Sequence, residues 1–256
     1  MAKRSESDAE RRLALGPADA VFSDDEVADL PEPVARYFRA AIASGTPLAR
    51  AARLTMKGHI RLGPRWVPFR ARELLAPSAG FVWAARAGGV IVGSDRYVDG
   101  QGLLDWRFLG LTQVAHGEGP DISRSAAGRC AGEAAWLPTS LLPRFGAGWS
   151  VVDDQHLTAT VTVGEVVLTM EIELDDDGHL CRVVYERWGD PEGAGTFGAH
   201  RFGMVVTGRE RFGGLTVPSA GSVGWHPGTP RWSTGEFFRY HLTSLEPVVA
   251  SEERVG

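Results

Sequence analysis

The stretch EVVLTMEIELDDDGHLCRVVYERWG, residues 165–189, places two strand-like runs around Asp177-Gly178. An Asp-Gly pair between runs rich in β-formers is a hairpin signal, because glycine takes the left-handed conformation such turns require. The pattern continues on both sides. Upstream, HLTATVTVG (156–164) alternates apolar and polar residues. Downstream, TFGAHRFGMVVTGRERFGGLTVPSAG (196–221) reads as two strands around a Phe-Gly-Gly turn, and STGEFFRYHLTSLEP (233–247) as a final strand.

The N-terminal half carries the same period. In ARLTMKGHIRL (52–62), Leu54, Met56, Ile60 and Leu62 alternate with Arg53, Thr55, Lys57, His59 and Arg61, as in a half-buried strand. RWVPFRARELL, GFVWAARAG, the two halves of GVIVGSDRYVDGQGLLDWRF and TQVAHGEG follow, for ten to twelve strands in total. No βαβ alternation interrupts them, so the sheet is expected to be antiparallel. The fold class is mainly β (α+β): one highly curved antiparallel sheet, a half-barrel, with an N-terminal helix and a helical insertion covering the concave face. A flexible charged arm is expected over 1–20 and the half-barrel domain over 21–250, with helices at about 31–44 and 121–142.

The first helix lies in LPEPVARYFRAAIASG, where Val34, Tyr37, Phe38, Ala41 and Ile42 recur at helical spacing. Pro33 suits a first turn and Gly45 a C-terminal stop. The second lies in SRSAAGRCAGEAAWLP (123–138), with Ser123 or Ser125 as cap and Pro138 as terminator. At about 100° per residue, Ile122, Ala126, Cys130, Glu133 and Leu137 share one sector, flanked by Arg129 and Trp136. Glu133 therefore points toward an apolar layer, one turn after Arg129. A buried carboxylate needs a partner or a proton. Two readings follow: an ion pair at the core edge, or a polar group at the floor of a pocket.

The 256-residue chain has a net charge of −5 and 43% hydrophobic residues. The acidic balance argues against nucleic acid as a partner, since phosphate binding needs a basic surface. Two cysteines, Cys130 and Cys181, make no disulfide framework or zinc site and suit reduced thiols. No run of 18 apolar residues and no signal-like N-terminus is seen, so a cytoplasmic protein without an integral membrane segment is expected.

The order of elements resembles the half-barrel of bacterial lipoprotein carriers of the LolA type. The residues concerned are an N-terminal helix, Asp99-Gly100 with Trp106, LPTSLLP (137–143), the hairpin Asp175 to Leu180 and the long hairpin after it. The resemblance covers most of residues 31–245 and implies a cavity for acyl chains. LPEPVARYF, GEAAWLPTSLLP, RWGDPEG and VPSAGSVGWHPG are similar to an uncharacterised bacterial family, a domain of unknown function, over nearly the whole chain.

In a half-barrel the second helix would cross the open face. Arg124, Arg129 and Glu133 would then stand near a ligand's polar head, with Trp136, Leu137 and Leu141 as apolar wall and Tyr185 facing them. The glycine-rich ERWGDPEGAGTFGAHRFG (186–203) offers Arg187, Asp190, His200 and Arg201 as a polar rim. Two arginines suit an anion bidentately, and an Asp with a His suits acid–base work; an internally paired loop is the alternative. Trp225 could stack on a ligand at the mouth. The histidines show no metal-ligand spacing, the serines no nucleophile elbow and GAGTFG no phosphate loop, so no metal or cofactor is expected. The function these residues suggest is binding of an apolar or amphiphilic, lipid-like small molecule. The alternatives are an enzyme using Glu133 as general acid or base in the same cavity, or a structural or interaction protein.

Overall fold

The computed structural model describes residues 8, 12, 13 and 20–249. Helix α1 spans Glu32–Ala41 and opens on prolines at its first turn. Six strands follow as a meander: β1 Ala52–Leu62, β2 Arg65–Ala76, β3 Gly80–Ala87, β4 Ile91–Val98, β5 Gln101–Phe108 and β6 Thr112–Glu118. Helix α2, Pro120–Gly132, comes next. Seven more strands complete the sheet: β7 Gly148–Val151, β8 His156–Val163, β9 Val166–Leu174, β10 Leu180–Gly189, β11 Gly198–Phe212, β12 Leu215–Trp225 and β13 Glu236–Pro247.

All thirteen lie in one antiparallel sheet, ordered β6-β5-β4-β3-β2-β1-β13-β12-β11-β10-β9-β8-β7. The last strand returns to pair with the first, so two meanders join through β1 and β13. The Asp177-Gly178 turn closes as expected: Gly178 has φ +87°, and Asp175 Oδ1 accepts the backbone N–H groups of Asp177 and His179. The expected strands are present, and one more, β7, is added. It is only four residues long and largely exposed, too short to carry a period.

The sheet curls around its core, and α2 spans the concave side. It packs against β5 near its N-terminus and against β10 along its length, strands far apart in sheet order. Two glycines permit this. At Gly102 of β5 a Cβ would meet the backbone of Ile122 and Ser123, and at Gly132 it would overlap the Tyr185 hydroxyl of β10. At Gly128 it would only touch the Arg187 stem, at 3.6 Å.

The helix boundaries differ from expectation. α2 begins at Pro120 after Gly119. Ser123 does not cap it; its hydroxyl donates to the Gly119 carbonyl and accepts the Gly102 N–H at 2.9 Å. The helix ends at Gly132 rather than near 142. Glu133–Trp136, Pro138–Leu141 and Pro143–Phe145 are 3-10 turns, because Pro138 and Pro143 supply no N–H to continue an α-helix. α1 ends at Ala41, since Ile42 turns extended and bridges to Leu215.

The arm expected over 1–20 falls mostly outside the described residues. Of those described, Arg12 pairs with Asp99, and Leu13 is buried on the convex face with Leu74, Ala76 and Val82.

Gly128→Ala and Gly132→Ala should act in opposite directions. Alanine adds about 1 kcal/mol of helix propensity at either site, but at Gly132 overpacking against Tyr185 costs about 1–3 kcal/mol. Urea denaturation is expected to show Gly128→Ala as stable as the parent or more so, and Gly132→Ala less stable. Equal stability of the two variants would contradict this placement of α2.

Candidate functional site

Between α2 and the concave face lies a cavity of about 510 Å³, within the range of small-molecule sites. Its wall is mainly apolar. Ile60 and Leu62 of β1, Ile91 of β4, Leu104 and Trp106 of β5, Val183 and Tyr185 of β10, Phe202 and Met204 of β11, Val223 of β12 and Phe237 and Phe238 of β13 all contribute. Trp83 of β3 and Trp136 after α2 complete it. Four ionisable acidic or basic side chains enter this lining: Asp95, Arg129, Glu133 and Arg187.

Register explains one row of the site. Glu73 pairs with Trp83, Trp83 with Asp95 and Asp95 with Leu104. Opposed residues of antiparallel strands share a face, so the four side chains stand side by side on the concave surface. Arg129 of α2 lies over this row. Its Nε donates to Glu133 Oε1 at 2.7 Å and its Nη1 to Asp95 Oδ2 at 3.0 Å. Its Nη2 lies 3.5 Å from Glu73 Oε1. The guanidinium carbon also sits 4.4 Å from the Phe81 ring centre and 5.2 Å from that of Trp83. Trp106 Nε1 donates to Asp95 Oδ1 at 2.8 Å.

The Glu73 side chain is fully buried. Burial, then the negative charge of Glu133, pushes its carboxyl well above the ordinary range, against the pull of Arg129. Among the described residues, both Glu73 oxygens and Glu133 Oε2 lack an N–H or O–H donor. A proton on Glu73 resolves this, because a carboxylic acid donates where a carboxylate only accepts. The neutral Glu73 then leaves Asp95 and Glu133 facing Arg129 and Arg187, two charges of each sign. Burial also raises Asp95, opposed by Arg129 and Trp106.

Arg187 differs from Arg129. Its Nε and Nη2 reach the Ser125 carbonyl and hydroxyl, both at 3.3 Å, and it forms no ion pair with a described carboxylate. Its guanidinium carbon lies 4.5 Å from the Phe202 ring centre and 5.5 Å from that of Trp225. Burial lowers its pKa, but a guanidinium starts so high that it stays charged.

Of the residues singled out from sequence, Arg129, Glu133, Trp136, Tyr185 and Arg187 meet at the cavity. The two readings of Glu133 coincide, since the Arg129 pair forms and also lies beside a pocket. Other expectations are corrected. Leu137 and Leu141 are buried in the core but do not line the cavity, because the chain leaves helical geometry at Gly132. Arg124 lies over the Trp188 ring at 3.9 Å, and Trp188 donates to Asp121, so both are held at the edge of the α2–β10 contact. Asp190 accepts the Ala194 and Gly195 N–H groups of its own loop. Arg201 is held bidentately by Glu171. His200 packs edge-on to Trp225 and His226. Trp225 backs Phe202 at 4.8 Å without lining the cavity. Among the described residues no group of three His, Cys, Asp or Glu is placed to hold a metal ion.

Sequence reasoning missed Glu73 and Asp95. A signal for Glu73 exists: Val67, Phe69, Ala71, Glu73 and Leu75 form one face of β2, and a carboxylate in that apolar row needs a partner.

Residues 20–237 match a family of unknown function, DUF6544, and the chain belongs to that family. No curated protein matches the chain. Among solved structures it is similar to a LolA superfamily protein from Nitrosomonas europaea, with 6% identity and a TM-score of 0.45 over 86% of this chain and 93% of that one. It is also similar to a DUF1329 family protein from Desulfovibrio piger, with 8% identity and a TM-score of 0.44 over 87% and 93%. Likeness at that level carries no functional argument.

Arg129→Met should destabilise the fold by about 3–5 kcal/mol, because it leaves buried carboxylates without their cation. Glu73→Gln should be far milder, since it mimics the protonated acid. The folded pKa of Glu73 lies above the unfolded value of about 4.3, so the native state binds more protons over the interval between them. Its contribution is full below the unfolded value and is lost as pH rises through the folded one. Urea denaturation from pH 4.5 upward should show parent stability falling relative to Glu73→Gln. A difference that is constant with pH would contradict a protonated Glu73.

Proposed function

We propose that this chain binds an apolar or amphiphilic small molecule in the cavity between α2 and the concave sheet. One observation carries the reading: a volume of about 510 Å³ lined by aromatic and aliphatic side chains, where a structural protein would have packed them together. The few polar groups gathered on one side suit a ligand with one polar head.

Leu62 and Val114 both line the cavity and stand exposed, which gives a ligand a route of entry.

 The turns after β1, β3 and β5 fall at one end of the meander, and Val90, Phe108, Leu109 and Leu111 are exposed there. An apolar rim continuous with an apolar cavity lets a ligand slide in without crossing a charged barrier. A cytoplasmic place for the chain fits its two unpaired thiols, Cys130 and Cys181. No helix among the described residues is long and apolar enough to cross a membrane.

A general acid or base at Glu133 has one supporting observation, the titratable Glu73 against it. Against it, Glu133 Oε1 is committed to Arg129, and Glu73 does not line the cavity. Both carboxyls serve better as anchors for the helix.

Trp83, Trp106 and Trp136 line the cavity and give an intrinsic signal. Titration with 1-dodecanol should change tryptophan emission saturably. Val223→Phe, which fills part of the cavity, should weaken binding by about tenfold or more, as expected if roughly 1.4 kcal/mol of contact is lost. An unsaturable signal, or equal binding by the folded variant, would contradict the proposal.

A further inference from the structure

We infer that the cavity selects amphiphiles with a carboxylate head, and that Arg187 is the group that binds it. This rests on the cavity-binding reading and names the ligand's head-group chemistry.

The two arginines at the cavity are in different states. Arg129 is saturated: Glu73, Asp95 and Glu133 surround it, and the rings of Phe81 and Trp83 cover its face. It has nothing left to offer a ligand. Arg187 lines the same cavity but among the described residues has only two long hydrogen bonds, both to Ser125. Its Nη1 has no acceptor among the described residues. A cation partly buried against apolar walls, with no described carboxylate within ion-pair distance, leaves its strongest interaction unmade, since charge-assisted hydrogen bonds are about twice as strong as neutral ones.

The side chain is also held in place. β10 directs Val183, Tyr185 and Arg187 to the cavity. Phe202 and Trp225 flank the guanidinium, and its stem passes alongside Gly128 of α2. A fixed planar fork fits a carboxylate. The remaining lining is apolar and suits an alkyl chain. Asp95 and Glu133 stand on the same side of the cavity, engaged by Arg129, so a cationic head would have to compete with a guanidinium already in place.

The test compares dodecanoate with 1-dodecanol at pH 8 by tryptophan emission, on the parent chain and on Arg187→Met, which keeps the stem and removes the charge. The parent should bind dodecanoate about tenfold more tightly than dodecanol, as expected for one charged hydrogen bond. Arg187→Met should lose that preference and bind dodecanol as the parent does. Saturable binding of both ligands with equal affinity by the parent would overturn the carboxylate inference while leaving the cavity reading intact. Binding of neither would overturn both. The parent comparison stands even if Arg187→Met does not fold. If it folds, as judged by near-ultraviolet circular dichroism, equal weakening of both ligands would assign Arg187 to cavity shape and overturn its role in head-group selection.

Discussion

One guanidinium holds α2 against the sheet. Arg129 draws Glu133 from the turn that follows the helix, Asp95 from β4 and Glu73 from β2. Those groups are distant in sequence, and each is costly to bury alone. Together with the nearby Arg187 they form a charge cluster that balances once Glu73 is protonated. The cluster need not add net stability, because desolvation offsets much of the attraction. What it supplies is position: the carboxylates are satisfied only when the helix crosses the concave face at one height and one rotation.

The cavity follows from that position. Gly102 and Gly132 bring the ends of α2 against β5 and β10, while the Arg129 cluster ties its middle to β2 and β4. Beside it, the large side chains of β5, β11 and β13 face a volume that the helix does not fill. Aromatic contacts stiffen this wall: Trp83 lies 5.6 Å from Trp106, and Phe69 stacks on Phe238 at 4.7 Å. A rigid wall does not collapse into the space. The same constraint divides the two arginines, committing Arg129 to the protein and leaving Arg187 facing the cavity.

The sheet was legible because alternation is local. Leu54, Met56, Ile60 and Leu62 announce a strand without reference to any other segment, and Asp177-Gly178 announces its turn. The Arg129–Glu133 pair was legible for the same reason, being four residues apart on a helix. Glu73 and Asp95 were not found, because their meeting with Arg129 depends on the β2–β3–β4 register and on where α2 lands. The end of α2 at Gly132 was missed because good helix formers continue beyond it, and packing against Tyr185 is not written locally. The charges of 186–203 misled for the opposite reason. Asp190 and Arg201 look functional in a glycine-rich segment, but backbone N–H groups and Glu171 engage them.

The central claim is that the space under α2 is a ligand site. Native mass spectrometry of the purified chain, incubated with dodecanoate and then denatured, tests it most directly. The account predicts a one-to-one adduct that is lost on denaturation and depleted in Val223→Phe. A chain that stays at its bare mass, or an adduct retained undiminished when the cavity is filled, would contradict it.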